Sequence, residues 1–239
     1  MMRLVLVALV LALACGRGSS ARTRGGVYVS LGDSIAAGVG ASDRERAGFA
    51  AVLAEREGAS DVENVAAAGA TTQDVLDKQV PAATDVAANR RVAFITISAG
   101  GNDLAALVPN ASCQEDPLPD TCPLDAALAG VEARLDEILR RLRAAEPRAP
   151  IVLLAYPNFF SGTGHEFEGP AGRVLRRLDA VIVRVAARYP RTGVAVTAGR
   201  WEGNGGTLTH VGSGDFGHPT DAGNRIIADA FGAALASID

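Results

Sequence analysis

The residues able to do chemistry in this sequence lie in four short, well-separated motifs. Ser34, in Gly-Asp-Ser, offers a hydroxyl nucleophile, and His218, in Asp-Phe-Gly-His, offers a base. Asp215 lies three residues before that histidine, a spacing that lets its carboxylate accept a hydrogen bond from one ring N–H and leave the other nitrogen free for the serine. The Asn102 amide, in Gly-Gly-Asn-Asp, and the backbone N–H of Gly69 are candidate donors to an oxyanion. Together these are the parts that acyl transfer requires.

Each motif also has a purely structural interpretation. A serine at the end of a strand often caps a helix, an asparagine or aspartate often begins one, and a single glycine marks a turn. The motifs therefore carry weight only as a set. Of the other two histidines, His165 lies in a glycine-rich loop and His210 has no acid nearby, so we predict that both are surface residues.

Five short, nearly continuous apolar runs recur along the chain, with helical patterns between them. Such runs are typical of strands buried on both faces of a parallel sheet. The predicted strands cover residues 27–31, 62–65, 92–98, 151–156 and 193–197. Strands that alternate with helices predict one open α/β domain with right-handed crossovers, over residues 26–239.

Three helices have clear patterns. Apolar residues recur with a helical period over 128–142 and over 174–185, with charged residues on the other face. A last helix is predicted over 219–236, with Pro219 in its first turn and Asp221 near its N-terminus. The arginines of the second helix are predicted to form a solvated face rather than a lipid-binding one; they are Arg176, Arg177, Arg184 and Arg188.

Ligands of parallel α/β sheets bind beyond the carboxyl ends of the strands. The four motifs all follow predicted strands, in segments 32–40, 66–72, 99–104 and 198–218. Aromatic residues in segment 157–172 and in the last segment either line an acyl pocket or pin long loops. They are Phe159, Phe160, Phe167 and Trp201.

The composition excludes several classes of protein. The chain has 239 residues, of which 48% are hydrophobic and 21% charged, so disorder, collagen and coiled coil are excluded. The formal charge is −4 and no basic run occurs, so no nucleic-acid partner is expected. The sequence has neither His-Glu-x-x-His nor a cysteine cluster, and its glycine-rich stretch 203–217 lacks the order of a phosphate-binding loop. Metal and nucleotide chemistry are therefore disfavoured.

The first residues resemble a secretory signal. A positive charge precedes an apolar run over 4–14, which is shorter than the roughly 20 residues that span a bilayer. Cys15 follows a small residue, as in bacterial lipoprotein signals, so we predict a signal peptide over 1–14, lipid on Cys15 and a tether over 15–25. Ordinary secretion is the alternative. Either way the mature protein is expected outside the cytoplasm, with membrane contact only through lipid on Cys15.

Two further cysteines, Cys113 and Cys122, lie nine residues apart in a proline-rich loop. In an oxidising compartment a pair this close is expected to form a disulfide, which leaves Cys15 unpaired. The loop follows the Asn102 motif, and it either stiffens the surface or forms one wall of the cleft.

The four motifs together resemble those of the SGNH hydrolases, also called GDSL esterases and lipases, from the first predicted strand to the C-terminus. The Gly-Asp-Ser that ends at Ser34 resembles the nucleophile block, and Gly69 matches the glycine of the second block. Gly-x-Asn-Asp around Asn102 matches the third block, and Asp-x-x-His from Asp215 to His218 matches the last. The chain departs from the family in one place, where isoleucine rather than leucine follows the serine.

This resemblance implies a flavodoxin-like, three-layer α/β/α sandwich that hydrolyses carboxylic esters without a cofactor. It implies that Ser34 is the nucleophile, His218 the base and Asp215 the acid that orients it. The N–H groups of Ser34 and Gly69 and the amide of Asn102 would hold the oxyanion. We expect a monomer acting on a small-molecule ester of short-to-medium acyl length rather than on long triglycerides.

Other functions stay open on the sequence. Carbohydrate O-deacetylation, thioester cleavage and lysophospholipid hydrolysis use the same machinery with a different pocket. An α/β-hydrolase has the same order of serine, acid and histidine, but its serine follows several strands and stands in Gly-x-Ser-x-Gly. A non-catalytic surface lipoprotein could bind an ester or glycan in the same pocket, although a binder does not need all four motifs.

Overall fold

The centre of the fold is a five-stranded, all-parallel sheet. The computed structural model describes residues 24–197, 199–215 and 217–238. In chain order the strands are β1 (Val27–Gly32), β2 (Asp61–Asn64), β3 (Val92–Ser98), β4 (Ile151–Ala155) and β5 (Thr192–Val196). In the sheet they lie in the order β2-β1-β3-β4-β5. This is the flavodoxin-like order. The predicted α/β fold is confirmed, and each predicted strand agrees with an observed one to within one residue at each end.

Helices cover both faces of the sheet. They are α1 (Phe49–Glu57), α2 (Thr72–Asp74), α3 (Val80–Asn89), α4 (Gly101–Leu104), α5 (Leu124–Ala145), α6 (Glu168–Ala186), α7 (Gly205–Leu208) and α8 (Asp221–Ile238). A π-helical turn, Val75–Gln79, joins α2 to α3. α1 and α8 pack together on one face, while α3, α5 and α6 pack on the other. The result is a three-layer sandwich.

The three central strands account for the strongest apolar runs of the sequence. Every residue of β1, β3 and β4 is buried, because helices cover these strands on both faces. The edge strands differ from the prediction, since Asp61 and Val62 of β2 and Val196 of β5 are exposed. An edge strand has a neighbour on one side only, and here the helices cover it incompletely. The sequence therefore located β2 and β5 correctly but overestimated their burial.

The two long amphipathic helices pack against each other. Their predicted apolar positions are buried in α5 and, except for half-buried Leu175, in α6. The arginines of α6 are not simply solvated: Arg184 pairs with Glu132 at 2.6 Å, and Arg177 pairs with Asp125. Exposed pairs contribute only about 0–1 kcal/mol each. The buried apolar seam, rather than these ion pairs, therefore holds the two helices together.

The last helix begins later than predicted. α8 begins at Asp221, and Pro219 lies before it in an isolated antiparallel bridge with Thr209. The bridge keeps this segment extended, so Pro219 takes no part in the first helical turn. The prediction that the helix includes Pro219 is therefore wrong.

The predictions for the N-terminus lie outside the described residues. The signal peptide over 1–14, Cys15 and most of the tether over 15–25 precede residue 24, where the description begins. From residue 24 onward, no helix of the described chain is both long and apolar enough to cross a membrane.

Candidate active site

The Gly-Asp-Ser motif forms a tight turn at the end of β1. Gly32 has a φ of 137°, and a Cβ there would lie 2.2 Å from the carbonyl oxygen of Ser98 on β3, so only glycine fits. The turn leaves Ser34 half-buried just past the carboxyl end of β1. No helix follows directly, because residues 34–40 form successive turns and α1 begins only at Phe49. The alternative interpretation of Ser34 as a helix cap therefore does not hold, because no helix begins at this serine.

Asp33 anchors this turn through a buried carboxylate. It is 3% exposed and accepts hydrogen bonds from the hydroxyls of Ser98 and Tyr156, both at 2.6 Å. It also accepts one from the N–H of Ile35 at 3.0 Å. Burial raises the pKa of Asp33, and the hydrogen bonds partly offset that rise. Sequence analysis missed Tyr156, because no local pattern connects residues 123 positions apart.

A second buried side chain, Gln79, holds the same turn. Its Oε1 accepts a hydrogen bond from the N–H of Gly32 at 2.7 Å, and its Nε2 donates to the Gly32 carbonyl at 2.9 Å. Gln79 is the last residue of the π-helical turn. Its side-chain amide bonds both the N–H and the C=O of Gly32, as the backbone of a neighbouring strand does. Sequence analysis missed this residue as well, because a glutamine in a helical segment carries no signal of burial.

The side chains of Asp215 and His218 are hydrogen-bonded to each other. Nδ1 of His218 lies 2.8 Å from Oδ1 and 2.9 Å from Oδ2 of Asp215. The carboxylate also accepts the backbone N–H groups of Gly217 and His218 at 3.1 and 3.0 Å. Partial burial by itself raises the pKa of Asp215, but the hydrogen bonds from His218 and Gly217 outweigh it, and the pKa is lowered. An ionised carboxylate at Nδ1 holds a proton there and leaves Nε2 as the acceptor.

Several contacts bring the Ser34 and His218 segments together. A Cβ at Gly40 would lie 2.8 Å from the Cβ of His218. His210 donates from Nε2 to the Gly40 carbonyl at 2.8 Å, and its backbone N–H donates to the His218 carbonyl at 3.0 Å. The prediction of His210 as a surface residue is therefore wrong: it is half-buried and links the two segments. Neither the Ser34 hydroxyl nor Nε2 of His218 is hydrogen-bonded to another described residue.

Two of the three predicted oxyanion donors, Gly69 and Asn102, lie in neighbouring segments. Gly69 is exposed with a φ of 79°, and a Cβ there would meet nothing within 4 Å. Asn102, in the short helix α4, donates from Nδ2 to the carbonyl of Ala70 at 2.9 Å. An amide Nδ2 carries two hydrogens, so one remains for another acceptor. The bond holds the Asn102 amide beside the loop that carries Gly69.

An ion-pair network ties α4 to α2, the short helix that follows the loop of Gly69. Asp103 accepts the N–H of Thr72 at 2.8 Å and its hydroxyl at 2.6 Å. Arg134 of α5 donates to Asp103 at 2.9 Å and to the Thr72 hydroxyl at 2.6 Å. The Asp103 side chain is only 7% exposed, so its charge requires this partner. Sequence analysis treated Asp103 as a family match or a helix cap and missed Arg134.

The four aromatic residues predicted beside the site pack into loops. Trp201 is 1% exposed and meets Phe159 edge-on, with 5.7 Å between ring centroids. Phe160 meets Phe167 edge-on at 6.0 Å, and both rings contact His165. These contacts are those expected of aromatic rings that pin long loops, and Trp201 also lines the cleft described next. His165 is likewise half-buried rather than a free surface residue.

A cleft of about 430 Å³ opens at the carboxyl ends of β4 and β5, lined in part by Trp201, Tyr156 and Asp179. The Asp179 carboxylate accepts the backbone N–H of Tyr156 at 2.9 Å. Burial raises the pKa of Asp179 to about 6. Ser34 is not among the residues that line this cleft.

Cys113 and Cys122 are bonded to each other, with an S–S distance of 2.02 Å. Both are buried, and they close the loop between α4 and α5. In the described ranges of the chain, no group of three or more histidine, cysteine, aspartate or glutamate side chains is arranged to hold a metal ion.

Comparisons with known sequences point to one family. The sequence model of the GDSL-like lipase/acylhydrolase family matches residues 30–226. The chain is also 29% identical, over 156 residues, to a protein named lipase from Streptomyces rimosus. That match spans 59% of this chain and 56% of the length of that lipase.

Solved structures resemble the chain over most of its length. The crystal structure of phospholipase A1 from Streptomyces albidoflavus NA297 is similar at a TM-score of 0.67 and 26% identity, covering 90% of this chain and 99% of that one. The structure of an extracellular lipase from Streptomyces rimosus is similar at a TM-score of 0.64 and 26% identity, covering 87% and 99% of the two chains. The structure of TesA, 22% identical at a TM-score of 0.58, has a similar fold.

Proposed function

Because the chain belongs to the GDSL-like lipase/acylhydrolase family and is a hydrolase of the SGNH type, we propose that it cleaves carboxylic esters through an acyl-enzyme on Ser34. The observation that carries this proposal is the His218–Asp215 pair, held on a segment clamped to the Ser34 turn. Nδ1 of the histidine is hydrogen-bonded to the carboxylate of Asp215, so Nε2 is the atom able to accept a proton.

In this mechanism, Nε2 of His218 takes the hydroxyl proton while Oγ of Ser34 attacks the carbonyl carbon. Asp215 stabilises the imidazolium that forms. The oxyanion accepts hydrogen bonds from the N–H groups of Ser34 and Gly69 and from Nδ2 of Asn102. As the tetrahedral intermediate collapses, the alcohol leaves with the proton from His218. Water then attacks the acyl carbon with His218 as base, which releases the acid and restores Ser34.

For the substrate we propose a small-molecule ester of short-to-medium acyl length. This is supported by the exposed residues 67–69, which leave the site open to water on the side of Gly69. The similar proteins named lipase and phospholipase A1 make lipid esters the second candidate class. A panel that varies the acyl chain and the alcohol separately, and that includes thioesters and O-acetylated sugars, separates these classes.

The nucleophile is tested with purified Ser34→Ala on a p-nitrophenyl ester and with a fluorophosphonate probe. We expect the variant to fold, to lose turnover and to resist labelling, whereas wild type is labelled on Ser34. Ser237→Ala is the matched control, because it removes a hydroxyl bonded to a backbone carbonyl of α8. A folded Ser34→Ala with wild-type turnover refutes the proposal. A wild-type protein that binds esters but neither turns over nor labels is the non-catalytic binder.

We also propose that the protein works outside the cytoplasm as a monomer, anchored through lipid on Cys15. The signal-like N-terminus, the Cys113–Cys122 disulfide and an extracellular relative support this location. Mass spectrometry of the membrane fraction should find an acylated Cys15. An unmodified Cys15, or a mature chain that starts elsewhere, contradicts the anchor, and light scattering of the purified protein tests the monomer.

A further inference from the structure

Tyr156 follows β4 directly and is buried between two turns that carry proposed catalytic groups. Only 4% of it is exposed. Its hydroxyl donates to Oδ2 of Asp33 at 2.6 Å. Its ring lies against Gly101, where a Cβ would lie 2.9 Å from Cε1 of the tyrosine. One side chain therefore contacts both the residue before Ser34 and the residue before Asn102.

The Tyr156 hydroxyl is important because the two oxygens of the Asp33 carboxylate have different hydrogen-bond donors. Oδ1 accepts the Ser98 hydroxyl and the Ile35 N–H, and Tyr156 is the side-chain donor to Oδ2. The backbone N–H of Ala36 also interacts with this carboxylate, so without the Tyr156 hydroxyl Asp33 loses its side-chain donor at Oδ2. The buried group must then shift toward its remaining donors or take up a proton. Either change alters the hydrogen bond from the Ile35 N–H to Asp33. Because Ser34 lies between these two residues, its position changes as well.

Tyr156 is itself firmly held. Its backbone N–H donates to Oδ1 of Asp179 at 2.9 Å, and β4 pairs with β3 on one side and β5 on the other. A side chain that directly follows a buried strand is a more precise support than one in the middle of a long loop. Its hydroxyl and ring can therefore act as a spacer between the two turns.

We propose that Tyr156 is a positioning residue that sets the distance between Ser34 and Asn102, through its hydrogen bond to Asp33 and its contact with Gly101. The inference rests on the proposed function, since it assigns a role relative to the nucleophile and an oxyanion donor. Removal of the hydroxyl lowers kcat and leaves KM near its wild-type value, because the ground-state ester gains little from exact spacing. A misplacement of about 1 Å costs on the order of 10²-fold in rate, so we expect kcat to fall about 10- to 100-fold.

The test compares Tyr156→Phe with Tyr28→Phe. Tyr28 is 0% exposed, and its hydroxyl also forms a 2.6 Å hydrogen bond, to Thr96, but it lies near the start of β1. Each variant loses one buried hydroxyl, and Tyr156→Phe should lower the melting temperature at least as much as Tyr28→Phe, because the partner of Tyr156 is a buried carboxylate. Only Tyr156→Phe should lower kcat on a soluble ester. Equal kcat values in the two variants, or a loss that lies wholly in KM, overturn the proposal.

The route through Asp33 is tested by adding Tyr156→Phe to Asp33→Asn. If Tyr156 acts through the Asp33 carboxylate, its hydroxyl contributes less in that background, and the fall in kcat is smaller than the product of the two single effects. Multiplicative effects mean that the tyrosine acts elsewhere, and they refute the stated route.

The rate of fluorophosphonate labelling separates this proposal from the proposed function. If wild type is not labelled, or if Ser34→Ala is still labelled, the proposed nucleophile is wrong. If wild type is labelled on Ser34, and Tyr156→Phe is labelled equally fast with wild-type kcat, only the positioning role is wrong. Slower labelling of Tyr156→Phe on the same serine supports both.

Discussion

Replacement of Asn102 by alanine should remove most of the activity but little of the stability. In the structure Nδ2 of Asn102 uses one hydrogen on the carbonyl of Ala70, at 2.9 Å. The other hydrogen is available to the proposed oxyanion. The first bond exists in the free enzyme, whereas the second strengthens only as negative charge develops on the substrate oxygen. Alanine loses both.

The two losses differ in size. Removal of one oxyanion donor lowers kcat by about 10²- to 10³-fold, which corresponds to about 2.7–4 kcal/mol of transition-state stabilisation. Removal of one amide-to-carbonyl hydrogen bond lowers the free energy of unfolding by about 1 kcal/mol. A stability loss of this size leaves the enzyme folded, so a fall in kcat cannot be attributed to unfolded protein.

The assay combines initial rates on a p-nitrophenyl ester with urea unfolding. Asn89→Ala is the matched control, since its Nδ2 donates to the Asp85 carbonyl at 2.8 Å at the end of α3, near the amino ends of the strands. The control should keep wild-type kcat. If folded Asn102→Ala keeps more than about a tenth of wild-type kcat, the asparagine is not an oxyanion donor and the reasoning is refuted.

Other contacts predict effects on stability, measurable by urea unfolding. Burial raises the pKa of Asp179 to about 6, so the folded chain binds this proton more tightly than the unfolded chain does. The free energy of unfolding therefore falls as the pH rises from about 4 to about 6. Asp179→Asn should remove that dependence and stabilise the protein above pH 6 by up to about 3 kcal/mol; unchanged pH dependence contradicts the assignment. Joint replacement of Cys113 and Cys122 by alanine opens a loop with a sequence separation of 9 and should cost about 2–3 kcal/mol, which added reductant should reproduce in wild type. Gln79→Leu leaves the buried N–H of Gly32 without its partner and should cost about 1–3 kcal/mol, so a wild-type urea midpoint speaks against the pairing.

Much of the fold could be predicted because its signals are local. A strand buried on both faces is a continuous apolar run, and residues 92–98 were predicted with the bounds that the structure has. Errors arose where the signal depends on neighbours in space. β2 was predicted to be buried, but it lies at the edge of the sheet and is largely exposed. Pro219 was predicted to begin a helix, but its bridge with Thr209 keeps it extended.

The candidate site could be predicted from the sequence for a different reason. The chain has only three histidines, so the search for a base was short, and the acid lies within one turn of His218. The role of His210 was misjudged, because its partner Gly40 is 170 residues away. For the same reason no sequence pattern indicated Arg134, which reaches Asp103 from α5.

By itself, therefore, the sequence determined the strands, their order along the chain and the candidate reactive groups that follow them. Only the tertiary structure decided which groups hold them in place: Tyr156 under Asp33, and Gln79 against Gly32. The physical reason is that periodicity and residue type report the average environment of a short segment. A hydrogen bond between distant residues depends instead on how helices and strands pack, and no short segment contains that information.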